Sequence, residues 1–368
     1  MIQRYLAAAL VTVLGAAVPL AGQNQQGDFL RPQTDQSTTR VANRGANFLE
    51  IGVGARGQAL AGAVTGMTEG VTAMYWNPAG IATAEGLDAA FSYADLYGDL
   101  GINHSFMGVV LPFASGGVGV SYTRLTSGDI PRTDESFPGG DNLATGPTFE
   151  WVSQAVGLHY GRRLTDRLQV GIGFKLVTEG FTGASADWWG LDVGTMFSTG
   201  LYGLTLGAAL TNIGSSSRFE GSAVQVRVEA TDFFSGIDVP VQYNTTSYTL
   251  PTAFRFALVE NIAGGADALL LPGGDHSFKV ALDLLDGVDT DLQTALAAEY
   301  GFKSVAFLRA GKRFVNEGPE IQNARGFGHG LSVGGGLRVF GQRLVLDYAF
   351  TEMNELDNVQ VFSVELNF

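Results

Sequence analysis

The side chains able to do chemistry are few and dispersed. The chain holds His104, His159, His276 and His329 and no cysteine. A metal centre needs several ligands at short recurring spacings, and these histidines are scattered, so no metal or cofactor is expected. The absence of cysteine removes thiolate chemistry and a disulfide framework. No Gly-x-Ser-x-Gly follows a strand into a helix, and Gly334-Gly335-Gly336 lacks the Lys-Ser/Thr partner of a phosphate loop. Asp99 lies close to His104, and Asp187 opens another segment, but nothing in the spacing brings a nucleophile to either. No catalytic residue is assigned. The charged residues are more orderly. Lys175, Asp192, Arg255, Lys279, Asp283, Glu299, Arg309 and Asp347 all fall inside alternating runs, on the polar parity. Both signs are present, so their simplest chemistry is mutual pairing that fixes geometry, with selection of a solute as the sharper alternative.

Strands must position these charges. Leu168, Val170, Ile172, Phe174 and Leu176 alternate with Gln169, Gly171, Gly173 and Lys175; Phe278, Val280, Leu282 and Leu284 alternate with Lys279, Ala281 and Asp283. A two-residue period places one set on each face of a sheet. Fourteen such segments follow one another, near 88–96, 103–113, 116–127, 149–161, 167–180, 187–200, 202–213, 251–260, 276–286, 293–302, 304–314, 329–340, 342–352 and 357–368. Most reach the roughly 9–11 residues of a tilted membrane strand. Every second link is tight, at Ala114–Ser115, Arg162–Asp166, Leu201, Lys303 and Gly341, with 261–275 the exception. The other links include the long 128–148 and 214–250 and the moderate 315–328. Short periplasmic turns with longer outer loops are the asymmetry of an outer-membrane barrel. The fold class read from the sequence is therefore all-β: a transmembrane antiparallel barrel of fourteen strands over 87–368. Its apolar set faces lipid, where a midplane Lys or Arg costs about 2–4 kcal/mol. The charged set faces the lumen.

Composition and the chain ends agree with this. A formal charge of -14 argues against nucleic acid, which needs basic grooves. The 24 Phe and 11 Tyr suit lipid contact and interfacial girdles, and 51 Gly sit largely inside strand-like runs. Gly weakens a soluble sheet, but a closed barrel satisfies every backbone group, so tolerance inside a barrel is the expected reason for them. Met1–Arg4 is a short basic start, Tyr5–Leu20 is apolar and Val18–Gly22 supplies small residues, so 1–22 reads as a signal peptide too short to span a membrane. Residues 23–47 are polar and read as a flexible mature N-terminus. At the other end, Phe362, Val364, Leu366 and Phe368 alternate with polar residues and resemble the assembly signal by which the barrel assembly machinery recognises outer-membrane barrels.

Residues 52–82 do not read as strand. Small residues dominate, with short helical turns expected at Ala59–Ala63 and Val71–Tyr75. Asn77-Pro78-Ala79-Gly80 has turn chemistry, with Asn bonding its own backbone and Pro fixing φ. Residues 48–86 are expected to fold into the barrel mouth as a hatch or plug, or to cap it from the periplasm. This segment carries a resemblance. Gly54-Ala55-Arg56, Leu60-Ala61-Gly62-Ala63 and Ala73-Met74-Tyr75-Trp76-Asn77-Pro78-Ala79-Gly80 resemble the N-terminal signature of the PorV/PorQ family of outer-membrane proteins. That family is itself similar to the FadL long-chain fatty-acid transporters, fourteen-stranded barrels with an N-terminal hatch. The match extends loosely from Glu50 to Phe368.

The resemblance implies a role in the outer membrane, in contact with the lipid bilayer. PorV-type members serve type IX secretion, receiving secreted cargo from the translocon. FadL-type members bind a hydrophobic small molecule and pass it through a lateral gap. The leading expectation is an export accessory, with a FadL-like transporter second, a purely structural barrel third and an enzyme last. Phe233, Phe234, Ile237, Tyr243 and Tyr248 in the longest outer loop are candidate contacts for a partner or ligand, since exposed aromatic patches mark recognition; packing over the barrel mouth is the alternative for the same loop. Outer-membrane hydrolases place His, Asp and Ser at a barrel rim, but a lone rim histidine is more often a girdle residue.

Overall fold

The computed structural model describes residues 44–133, 138–139, 146–229, 238–242, 245–315, 330–353 and 358–368. The expected signal peptide, residues 23–43, Phe233, Phe234, Ile237, Tyr243, His329 and the Asp99 side chain lie outside what is described. Fourteen antiparallel strands close into one barrel. They are β1 Asp88–Leu96, β2 Ile102–Phe113, β3 Gly116–Thr126, β4 Val152–Arg163, β5 Leu168–Phe181, β6 Ala184–Ser198, β7 Leu204–Gly214, β8 Ala253–Ala263, β9 His276–Gly287, β10 Gln293–Phe302, β11 Ala306–Val315, β12 Leu331–Val339, β13 Leu344–Thr351 and β14 Val359–Asn367. Each pairs with its sequence neighbours, and β14 closes on β1 with Asn367 opposite Asp88 and Phe362 opposite Tyr93. Closure leaves no edge with unpaired amides, which a bilayer would penalise.

The parity of the sequence is the parity of the wall. Ile172, Phe174 and Leu176 point outward and are exposed, as are Leu158, Leu308 and Phe362. Their inward neighbours are small or polar and mostly buried, as in β6, where Ala184, Ala186, Trp188, Gly190, Asp192 and Gly194 alternate with exposed residues. Two departures from the expected segments have local causes. Phe149 belongs to a separate small hairpin paired with Ile130, so β4 starts at Val152. The outer link between β5 and β6 shrinks to Thr182–Gly183 because Gly180 (φ 155°) and Gly183 (φ 113°) take angles that suit only glycine. A register shift between Leu191 and Val193 sets two residues of β7 against Asp192, a bulge of the kind that re-aims side chains.

The barrel core is the N-terminal segment itself. From Arg44 at the outer end, the chain runs through α1 (Ala55–Ala59) and α2 (Ala73–Trp76), then a 3₁₀ turn at Pro78–Thr83, before joining β1. Its outer end is fixed by Gly45 N–H to the Thr249 carbonyl (3.0 Å) and Ala46 N–H to Glu179 Oε2 (2.6 Å). Val53, Leu60, Val64, Met74, Trp76 and Ile81 form a buried cluster with Phe106, Val110 and Val259 of the wall. The segment packs inside the barrel against its inner wall.

Candidate functional site

The hatch meets the wall along two seams. The first is built on Asn77, which is fully buried. Its Nδ2 donates to the carbonyls of Thr65 (2.8 Å) and Thr195 (3.1 Å), and its Oδ1 accepts from Ala79 N–H (3.1 Å). Pro78 follows at the first helical position, where its missing N–H is no loss. The strands facing this turn present Gly161, Gly171 and Gly194, and any side chain there would collide with Pro78, Ala82 or Asn77. Gly207 meets Gly66 in the same way. This corrects the sequence reading of the glycines. Gly161, Gly171 and Gly207 are required because hatch backbone lies against strand backbone, rather than being merely tolerated in a closed ring.

Trp76 organises the middle. Its Nε1 donates to the Val53 carbonyl (2.9 Å), and Gly52 and Gly57 lie flat on the indole, where a Cβ would come within 2.7 Å. Arg255 stacks 5.0 Å above the ring, a cation–π contact strengthened by burial. Tyr75 meets Trp76 edge-on at 4.9 Å and donates to the Leu49 carbonyl (3.0 Å); burial pushes its phenol up to about 12.

The second seam joins α1 to β10–β14 through charge. Gly54 (φ 75°) precedes the helix, its N–H donating to Ser92 Oγ (3.3 Å), and Ala55 N–H donates to Ser363 Oγ (3.1 Å). Arg56 forks onto Glu299 (2.9 and 3.0 Å); Glu299 also accepts from Arg309 (2.7 Å), which reaches Asp347 (2.5 Å). Burial disfavours the Arg56 cation, but Glu299 and Glu69 outweigh it and hold the guanidinium above its ordinary value. Gly62 (φ 85°) ends the turn after α1, and Arg313 clamps the Ala61 carbonyl with Nε (3.2 Å) and Nη2 (3.0 Å). Gly80 is held against Thr68 and Ala73 with no room for a side chain.

The remaining lumen candidates divide. Lys175 bridges Asp192 (2.8 Å) and Asn212 (2.7 Å) at the β6–β7 bulge, and Asp283 accepts from Thr65 N–H (3.0 Å). Lys279 is half-buried opposite Glu299 in register. Tyr248 is no exposed contact: it packs over the barrel mouth on the cluster containing Trp188, whose Nε1 donates to its carbonyl (2.8 Å). Sequence reasoning missed Ser121, which meets His159 Nε2 at 2.9 Å. The signal was available, since both residues hold lumen parity on consecutive strands. The adjoining space is about 20 Å3, room for one water. His104 is buried, whereas His276 is exposed and joins Tyr300 (2.7 Å) in a rim cluster. Gly330-Leu331-Ser332-Val333-Gly334 has the letters of a nucleophile elbow, but Ser332 lies in β12 and bonds Thr351 (3.0 Å).

Two larger cavities flank α1. One of about 390 Å3 has Ile51, Leu96, Met353 and Val359 on its apolar side and Glu50, Gln58 and Arg313 on its polar side. It lies toward the outer end. Burial, helped by Asp289 and opposed by Arg255 and Arg313, pushes the Glu50 carboxyl up to about 7. The other, about 480 Å3, lies at the periplasmic end and is lined by Gly54, Arg56, Arg309, Arg338, Asp88 and Glu365 among others. Gly54 and Arg56 face one cavity, and Gly52, Gln58 and Ala61 the other. The five residues of α1 and their flanks are the septum between them.

No family model matches the chain, and no curated protein matches it by sequence. Solved structures do. The chain is similar to the toluene transporter TbuX of Ralstonia pickettii (12% identity, TM-score 0.51, covering 86% of this chain and 98% of that one). It is also similar to the deltaS2S3 mutant of TodX, a monoaromatic hydrocarbon channel (13% identity, TM-score 0.50, covering 86% of this chain and 99% of that one). At these identities the likeness concerns the fold alone: a closed, fourteen-stranded antiparallel barrel of the outer-membrane kind.

Proposed function

We propose that this protein is a gated outer-membrane transporter of small hydrophobic or amphipathic compounds, with α1 as its gate. One observation carries the reading: two cavities of ligand size, at opposite ends of the lumen, are separated by a single helical turn. Both fall in the about 300–1,000 Å3 range of small-molecule sites. A compound enters the outer cavity against Ile51, Leu96, Met353 and Val359, and leaves when α1 withdraws from β10–β14. The fold shared with a toluene transporter and a monoaromatic hydrocarbon channel supports this over the export reading. The reading itself calls for no catalytic step.

The test is uptake of a radiolabelled monoaromatic compound into proteoliposomes, by the wild type and by Arg56→Ala, which loosens the gate. Uptake above empty vesicles, raised by the variant, is expected; uptake equal to empty vesicles for both overturns the reading. A second reading, a PorV-type accessory of type IX secretion, draws on the hatch packed inside the barrel and the hairpins at the outer end. Co-purification of cargo sharing a C-terminal domain from outer membranes would favour it.

A further inference from the structure

The outer cavity has two walls of different character. Leu96 of β1 and Val359 of β14, with Met353 and Ile51, make the apolar wall. The polar wall is drawn from β10–β12 and the hatch, and several of its groups are already bonded. Ser332 meets Thr351 (3.0 Å), and Gln58 Nε2 donates to the Gly52 carbonyl (2.6 Å). Two charged groups keep free capacity. Arg313 gives Nε and Nη2 to the Ala61 carbonyl, which leaves its Nη1 without a partner among the described residues. The Glu50 carboxylate forms no hydrogen bond or ion pair among the described residues.

Glu50 and Arg313 also border a smaller space of about 30 Å3, room for a water or two. They are neighbours that do not bond each other, although each acts on the other's charge. The other charges acting on Glu50, Arg255 and Asp289, are opposite in sign and lie outside the lining of the cavity. Tyr97 and Gln293 complete the polar wall as neutral groups.

A donor and an acceptor held apart on one wall sort ligands by the group placed between them. A carboxylate accepts from Arg313 but meets Glu50, a like charge. An ammonium donates to Glu50 but meets Arg313. A hydrocarbon displaces water from both and reproduces none of its hydrogen bonds, which loses affinity. A neutral hydroxyl serves both: its oxygen accepts from Arg313 and its O–H donates to Glu50. Hydrogen bonds to charged groups are the stronger kind.

We infer that the outer cavity takes a neutral compound with one hydroxyl on a compact apolar body, such as a phenol, the hydroxyl between Arg313 and Glu50 and the body against Leu96, Met353 and Val359. This names a substrate class for the transport reading and rests on it.

The test is equilibrium dialysis of the full chain in detergent against toluene, p-cresol and p-toluate, with binding to detergent alone subtracted. The pH is held at about 8, above the Glu50 value of about 7. The three probes share a methylated ring and differ in the group it carries. A purely apolar cavity ranks toluene first, because a hydroxyl is costly to remove from water. Here p-cresol should bind about tenfold more tightly than toluene, and more tightly than p-toluate. Glu50→Ala should cancel the advantage of p-cresol over toluene and strengthen p-toluate, opposite changes that a general loss of structure would not produce. Toluene equal to or tighter than p-cresol, or p-toluate tightest, overturns the inference and leaves the transport reading standing. No binding of any of the three up to about 1 mM overturns both. The ranking on the wild type decides even where the variant fails to fold.

Discussion

The hatch is held by two seams that differ in kind. At Asn77–Thr83 backbone lies on backbone, bonded through one buried amide and admitted by inward glycines of β4, β5 and β6. At α1 the helix also approaches glycines, Gly311 and Gly334. There, however, its polar links are an arginine fork and two serine hydroxyls, and a cavity opens on either side. Water can replace an ion pair at modest net cost, because the ions regain hydration as they separate. It cannot replace contact between two backbones without opening a void. On the transport reading, the first seam is the anchor and the second the gate.

Five variants break or sharpen this contrast. The largest effect is expected from Gly171→Leu, whose side chain falls on the Pro78 backbone. Overpacking costs typically about 1–3 kcal/mol and more against backbone, so thermal unfolding should show a destabilised barrel or no assembly. Gly335→Ala, with its nearest neighbour at an ordinary 3.5 Å, should be nearly silent in the same assay. Next comes Asn77→Ala, which strands two carbonyls and one N–H at about 1–3 kcal/mol for each group left buried and unpaired. Protease protection of 60–85 should fall.

Arg56→Ala follows. Glu299 keeps Arg309, so the barrel should stay folded while planar-bilayer leak rises; unchanged leak would count against α1 as the septum. The smallest effect concerns Glu50. Its folded-state value is raised from 4.5 to about 7, so the folded form holds a proton that the unfolded chain releases between those values. Stability from this group is fullest below 4.5 and falls as pH climbs to about 7. Hydrogen exchange at 47–53, corrected for intrinsic rates, should show more protection at about pH 5 than at about pH 8, and Glu50→Gln should erase the difference.

Much of the wall was legible because parity is a local property. Ile172 and Lys175 declare their faces within one strand, and all fourteen expected segments have a counterpart in the barrel. The hatch motif was legible as turn chemistry: Asn77 does bond its own backbone, at Ala79. What stayed hidden depends on partners far away in the chain. Nothing near Gly171 or Gly194 announces that Pro78 and Asn77 press on them. Arg56 and Glu299 lie 243 positions apart, so the fork appears only once the barrel closes around the hatch. Of the two roles the sequence left open for Tyr248, partner contact or packing over the mouth, only distant residues could choose: it lies against the cluster of Trp188.

The most direct test locks each seam in turn, using the absence of native cysteine. Ala55→Cys with Ser363→Cys ties α1 to β14, and Thr65→Cys with Asp283→Cys ties the anchor side of the hatch to β9, where Thr65 N–H meets the Asp283 carboxylate at 3.0 Å and the Thr65 carbonyl accepts from Asn77. In proteoliposomes, oxidising the first pair should stop uptake of the monoaromatic probe and reduction should restore it, while the second pair should transport equally in both states. Uptake that persists with α1 locked, or stops only when the anchor is locked, would contradict the assignment of gate and anchor.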